Sequence, residues 1–141
     1  MAFNVLIVDD SSSMRNIIKK TIEMSGFDVG QFFEGSNGRE ALAVLDKEWV
    51  DVILTDIHMP EMDGIAFLKA LQDQAIVSTT PVVIVTTEGR EERIEEVFGL
   101  GAKACIQKPF RPEEIRKALM NVLGVDEQSM EKREVEEGCD F

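Results

Sequence analysis

Short, fully apolar runs alternate along the chain with longer stretches whose apolar residues recur every three or four positions. The first pattern predicts buried strands and the second amphipathic helices. Phe3 to Val8 reads as a strand dense in Val, Leu and Ile. Met14, Ile17, Ile18, Thr21 and Ile22 then predict a helix, with Ser11, Ser12 and Ser13 as N-caps and Gly26 as C-cap. Phe27 to Phe33 is a second strand, less hydrophobic and therefore nearer a sheet edge. Ala41, Leu42 and Leu45 mark a helix that begins near Asn37 and Gly38. Val50 to Thr55 is a third strand, ending at Asp56. The loop from His58 to Gly64 leads into a helix carrying Ile65, Leu68 and Leu71. Pro81 to Thr86 is a fourth strand, followed by a helix with Ile94, Val97 and Phe98 that closes at Gly101. Ala104 to Gln107 is a short fifth strand. Pro112 opens a last helix containing Ile115, Leu119 and Val122, ended by Gly124.

Strict alternation of strand and helix predicts an α/β fold, a five-stranded parallel sheet with helices on both faces. Strands apolar along their whole length agree with a sheet covered on both sides. With 141 residues the chain is sized for one domain, placed here at residues 1–125. Residues 126–141 show no firm periodicity and read as an acidic tail, flexible or loosely helical.

Charge narrows the partners. The net charge is −12, and the tail holds seven acids against Lys132 and Arg133, a net of −5. Such a chain is repelled by phosphate backbones and anionic lipid, so neither nucleic acid nor membrane insertion is expected. No stretch approaches the ~20 apolar residues of a membrane span, and Val5 to Val8 is too short for a signal segment. The expected location is the cytoplasm. Cys105 and Cys139 match no metal or redox spacing and read as reduced thiols.

In an open α/β sheet, ligands bind beyond the carboxyl ends of the strands. At those ends this chain places Asp9 and Asp10, Asp56, Thr86 and Thr87, and Lys108 followed by Pro109. Each residue alone has a plain structural explanation: an N-cap, a turn, a strand end, a solvated lysine. Several carboxylates in one cleft repel each other unless a cation joins them. Oxygen ligands favour a hard divalent ion such as Mg2+, and with His58 the single histidine a Zn2+ site is not supported. A metal, a lysine, a hydroxyl and a spare carboxylate are the parts phosphoryl transfer uses. Asp56, alone at the end of the third strand, is the best nucleophile, with Asp9 and Asp10 opposite to hold metal.

These residues resemble the receiver domains of two-component response regulators. The matching pieces are Val8-Asp9-Asp10-Ser11, Asp56 followed by Met59-Pro60-Glu61-Met62-Asp63-Gly64, Val85-Thr86, and Lys108-Pro109-Phe110, spread over residues 3–124. The resemblance implies a flavodoxin-like fold of strand order 2-1-3-4-5. It implies that Asp56 accepts a phosphoryl group from a histidine kinase or phosphotransfer protein. It also implies that Asp9, Asp10, Asp56 and the backbone carbonyl of His58 hold Mg2+. By the same resemblance Thr86 moves toward the phosphoryl group, Lys108 pairs with it, and the Lys108–Pro109 bond is cis. His58 and Glu88 fall at positions that tune phosphoryl lifetime in the family. One departure stands out: Cys105 occupies a place where family members often carry an aromatic ring, and the chain has no Tyr.

Receivers are commonly fused to an effector, but the 17 residues after Gly124 are too few and too acidic for a DNA-binding module. The expected output is contact with a downstream target protein through residues 91–123, as in single-domain chemotaxis receivers; a receiver fragment of a larger regulator is the other possibility. The chain is expected to act as a switch with slow self-dephosphorylation rather than as an enzyme. Two other classes share part of the pattern. An Asp-nucleophile, Mg-dependent phosphohydrolase would use the same residues but generally needs an acid where His58 stands. A flavin-binding electron carrier shares the topology, but Asp9 and Asp10 would repel the flavin phosphate.

Overall fold

The computed structural model describes residues 2–125; the expected acidic tail at 126–141 lies outside the described residues. The strands are β1 (Phe3–Val8), β2 (Val29–Gly35), β3 (Val52–Thr55), β4 (Val82–Thr86) and β5 (Ala104–Gln107). The helices are α1 (Ser12–Met24), α2 (Gly38–Lys47), α3 (Gly64–Asp73), α4 (Glu91–Gly99) and α5 (Pro112–Leu123). All strand pairs are parallel, in the order β2-β1-β3-β4-β5. That is the α/β architecture expected from the alternation of strands and helices, and the strand order that the resemblance implies.

The period-two alternation of the strands divides the interior into two cores. Val5 and Ile7 of β1, Val52 and Leu54 of β3, and Val83 and Val85 of β4 face Ile18 and Ile22 of α1 and Ile115 and Leu119 of α5. Leu6 and Val8, Ile53, Val82 and Ile84 face the other way, onto Ala41 of α2, Phe67, Leu68 and Leu71 of α3, and Val97 of α4. Each fully buried side chain of this size contributes about 1.5–3 kcal/mol relative to an exposed one. Among the described residues no helix is long and apolar enough to cross a membrane.

Several boundaries differ from the pattern reading. The second strand starts at Val29 rather than Phe27, because the Phe27 ring leaves the ladder to stack on Phe3, with ring centroids 5.6 Å apart. The third starts at Val52 rather than Val50. Asp51 is instead tied to Asn4, accepting the Asn4 N–H on Oδ2 at 2.8 Å and donating its own N–H to Asn4 O at 2.9 Å. The fourth helix ends at Gly99, and Gly101 follows at φ +110°. Phe98, read as part of the apolar stripe of that helix, is 44% exposed, and Val97 alone is buried there. Ile17, read into the stripe of the first helix, is likewise half-exposed. A short 3-10 turn at Ile76–Ser78, entered through Ala75 at φ +60°, was not anticipated.

The helix starts aim the site. Ser11 Oγ accepts the Met14 N–H, Asn37 Oδ1 the Glu40 N–H, and Asp63 Oδ1 the Ala66 N–H, each satisfying an orphan donor of α1, α2 or α3. Gly64 opens α3 in direct contact with the end of β3. A Cβ there would collide with the backbone carbonyl oxygen of Asp56 and come within 2.7 Å of Ile57 Cα. Only glycine lets this helix start so close to Asp56.

Candidate functional site

The carboxyl ends of β1, β3, β4 and β5 deliver side chains to one edge of the sheet. Asp9 follows β1 directly and is 2% exposed; Asp56 follows β3 and is 9% exposed. Their backbones are locked to neighbouring strands: Asp9 N–H donates to Gly35 O at 3.1 Å, and Asp56 N–H to Val8 O at 3.0 Å. Burying two carboxylates side by side is unfavourable unless a cation compensates them. Lys108, just beyond β5, does so. Its Nζ donates to Asp9 Oδ2 at 2.8 Å and to Asp56 Oδ2 at 3.0 Å. Burial alone would push the Lys108 pKa down, but the hydrogen bonds and charges of Asp9 and Asp56 outweigh it and the pKa is raised. The ammonium is therefore held charged.

The remaining carboxylate oxygens are bound by backbone. Asp56 Oδ1 accepts the Ile57 N–H at 2.7 Å, and Asp9 Oδ1 accepts the Ser11 N–H at 2.9 Å. Thr86, at the end of β4, is fully buried; its carbonyl accepts the Lys108 N–H at 2.8 Å and its hydroxyl oxygen accepts the Glu88 N–H at 3.2 Å. The Lys108–Pro109 peptide bond is cis, as the resemblance implies. The structure thus joins Asp9, Asp56 and Lys108 by direct hydrogen bonds and ties Thr86 to Lys108 through the backbone. Asp10 is exposed, and the His58 side chain is largely exposed. Among the described residues no three His, Cys, Asp or Glu side chains form a ready-made metal cage. Lys108 occupies the space that joins two of the candidate carboxylates. Chemically, three carboxylates and the His58 carbonyl against one ammonium remain an oxygen-only, net anionic donor set, which fits a hard divalent cation.

Three participants escaped the pattern reading. Arg15 Nη1 donates to the Asp9 carbonyl at 2.6 Å while its Nε pairs with Glu34 at 2.9 Å. Arg90 grips Glu88, with Nη2 2.8 Å from Oε1 and both Nε and the backbone N–H 3.1 Å from Oε2. Gln107 Nε2 donates to the Glu88 carbonyl at 3.0 Å. Glu88 is only 8% exposed although it sits in a loop, and the Arg90 hydrogen bonds hold its pKa down at about 2. An arginine two residues after an acid, just past a strand end, was the available signal. Cys105, on β5, is half-buried, and burial raises its thiol pKa.

A doubly covered parallel sheet of order 2-1-3-4-5 with an amine-bridged pair of carboxylates at its carboxyl edge defines a flavodoxin-like domain with an acidic site at that edge. Residues 5–120 match the family model of the response regulator receiver domain. A chemotaxis protein CheY homolog of Campylobacter jejuni is 39% identical over 121 residues, covering 85% of this chain and 92% of that protein. The structure of chemotaxis protein CheY4 of Vibrio cholerae is 38% identical with a TM-score of 0.77, covering 87% of this chain and 100% of that one. A CheX–CheY–BeF3–Mg2+ complex from Borrelia burgdorferi is 29% identical with a TM-score of 0.75, covering 85% and 88%. The chain belongs to the response regulator receiver domain family, in its CheY-type branch, and is a phosphoacceptor of two-component signalling. Receiver domains of this type are signalling switches.

Proposed function

We propose that Asp56 is the residue that accepts the phosphoryl group, from a sensor histidine kinase or a phosphotransfer protein. The observation that carries this reading is the Lys108 bridge: one ammonium within 3.0 Å of Asp56 and 2.8 Å of Asp9, in a nearly buried pocket. In the reaction a carboxylate oxygen of Asp56 attacks phosphorus, the bond from phosphorus to the donor nitrogen breaks, and the electron pair leaves with the imidazole. Asp56 is presented for attack by the Ile57 N–H and by Lys108, which fix both its oxygens. Lys108 neutralises charge that develops on the transferring group. The buried Thr86 hydroxyl is one strand away, where a rotation would let it meet a phosphoryl oxygen.

Asp9, Asp10, Asp56 and the backbone carbonyl of His58 would hold Mg2+, as the oxygen-only donor set favours, and the magnesium-containing complex of the Borrelia relative supports this. When bound, the ion supplies charge neutralisation for the phosphoryl oxygens. Return to the resting state is by slow self-dephosphorylation.

The switching unit is placed at residues 1–125. Its output is contact with a downstream target protein through residues 91–123, where α4 buries only Val97 and leaves Phe98 exposed. Moving such a surface from 1:99 to 99:1 takes about 5.5 kcal/mol of differential stabilisation. A phosphoryl group held by Lys108 and Thr86 beside the start of α4 is placed to supply it. The CheY relatives support a role in chemotaxis or motility, and this reading puts the protein in the cytoplasm. Incubation with acetyl phosphate and Mg2+, followed by intact mass, tests the reading. It predicts one hydroxylamine-labile phosphoryl group, lost when EDTA is present.

A further inference from the structure

Behind the acidic pair at the end of β1 stand two cations and a carboxylate that the proposed reaction does not use. Arg15, at the start of α1, donates from Nη1 to the Asp9 carbonyl oxygen at 2.6 Å and from Nε to Glu34 Oε1 at 2.9 Å. Glu34 lies on β2, in register with Ile7 of β1, and its Oε2 accepts from Lys19 Nζ at 3.0 Å. Burial alone would raise the Glu34 pKa, but the hydrogen bonds and charges of Lys19 and Arg15 outweigh it and hold the carboxyl below its ordinary value. The Arg15 side chain is only 16% exposed, and its backbone N–H donates to the Ser11 carbonyl at 3.0 Å, which anchors it to the helix start. A guanidinium suits this place because its planar fork serves two acceptors at once, one on β2 and one at the end of β1.

The Asp9 carbonyl and the Asp10 N–H belong to one planar peptide unit, so a hydrogen bond on that oxygen sets the plane from which Asp10 departs. On the other side of Asp10, the Ser11 N–H donates to Asp9 Oδ1 at 2.9 Å. Asp10 is thus clamped through its two neighbours, while its own side chain is exposed. We propose that Arg15, steadied by Glu34, is a positioning residue that orients the Asp9–Asp10 peptide and so presents the Asp10 carboxylate to Mg2+. This rests on Asp9 and Asp10 holding the ion. The Arg15 hydrogen bonds go to the Asp9 carbonyl and to Glu34, not to the Asp9 or Asp56 carboxylate oxygens, so its action runs through the backbone. Charge and position pull in opposite directions here. Removing a cation from beside an anionic site should, by electrostatics alone, tighten the binding of a divalent cation. Losing the peptide clamp should weaken it. Because Glu34 lies against the guanidinium and offsets part of its charge, position decides the sign.

The test titrates the full, unphosphorylated chain with MgCl2 by isothermal calorimetry, with no phosphodonor present. It compares the parent with Asp10→Asn, Arg15→Ala, Arg15→Lys, Glu34→Gln and the double variant Arg15→Ala with Glu34→Gln. Arg15→Ala is expected to weaken Mg2+ binding by about tenfold, the usual scale for losing a group that orients a metal ligand. Arg15→Lys, which keeps the charge but not the fork, is expected to weaken it by less. Glu34→Gln is expected to weaken it in the parent background and to add nothing once Arg15 is gone. A merely structural role would lower the unfolding midpoint and leave the affinity of the folded chain unchanged. If Arg15→Ala binds Mg2+ as well as the parent or better, the positioning role is wrong while the metal reading stands. An equal loss from Glu34→Gln with and without Arg15 would overturn the part given to Glu34. Should Arg15→Ala fail to fold, Arg15→Lys and Glu34→Gln decide, and unchanged affinity in both overturns the role. If the parent binds no Mg2+, or Asp10→Asn binds it as tightly as the parent, the metal reading fails and the inference goes with it.

Discussion

Lys108 Nζ lies 3.0 Å from Asp56 Oδ2, and the same residue's backbone N–H is fixed on Thr86 O at 2.8 Å. One side chain thus links the ends of β3 and β4, and its second contact, to Asp9, brings in β1. Removing it leaves two nearly buried carboxylates facing each other without compensation. Lys108→Ala is expected to lower stability by about 2–3 kcal/mol, the usual cost of stranding one side of a buried, hydrogen-bonded charge pair in a site with some solvent access. Asp56→Asn should do the opposite or nothing, since it removes like-charge repulsion and leaves the Asp9–Lys108 pair whole. Urea unfolding midpoints of the two variants check both signs.

The close start of α3 makes a second prediction. A methyl group at Gly64 must displace the Asp56 carbonyl or Ile57, both backbone atoms that cannot swing aside. Gly64→Ala is expected to cost about 1–3 kcal/mol, in the range of overpacking in a close-packed interior. It should also reduce phosphoryl incorporation, because the collision falls on the residue that presents the reacting carboxylate. Denaturant titration and initial labelling rates read the two effects separately.

The Glu88–Arg90 grip has a pH signature. The Arg90 side-chain and backbone hydrogen bonds lower the Glu88 pKa from its ordinary 4.5 to about 2. A carboxyl depressed on folding contributes stability that is present above the unfolded value and lost as pH falls toward the folded one. The contribution is therefore full above about pH 4.5 and disappears toward pH 2. The Glu88 side-chain carboxyl carbon, followed by NMR, should show the group ionised down to about pH 3, and in Arg90→Ala, which loses the guanidinium but keeps the backbone N–H, its titration should move up toward the ordinary value.

Trp49, the single tryptophan, is 78% exposed and precedes β3, while Asp56 follows it. The intervening stretch spans on the order of 20 Å at strand rise, and the indole Nε1–H is held by Asp51 Oδ1 at 3.0 Å. Its fluorescence is expected to change little on addition of Mg2+ or on phosphorylation. A large quench would show that the ring lies nearer the site than the fold places it.

How far the residues alone could be read follows from where the competing forces are local. Both cores follow from runs such as Val82–Val85 and Ile53–Leu54, whose alternate residues face opposite helices, whereas the strand order was implied only by the family resemblance. The triangle of Asp9, Asp56 and Lys108 was legible because each member sits at a strand end, and strand ends of a parallel sheet share one edge. What stayed hidden depends on side-chain contacts between distant segments. Asn4 takes Asp51 out of the third strand, the Phe27 ring leaves the ladder for Phe3, and Arg90 turns back on Glu88. The outward ring of Phe98 was misplaced because a three-four spacing marks an apolar stripe without saying how wide a stripe the sheet covers.

The measurement closest to the central claim compares the parent with Asp56→Asn under acetyl phosphate and Mg2+ by intact mass and peptide mapping. The account predicts one phosphoryl group in the parent, mapped to the segment containing Asp56, and none in the variant. Equal labelling of Asp56→Asn would contradict it and place the acceptor elsewhere.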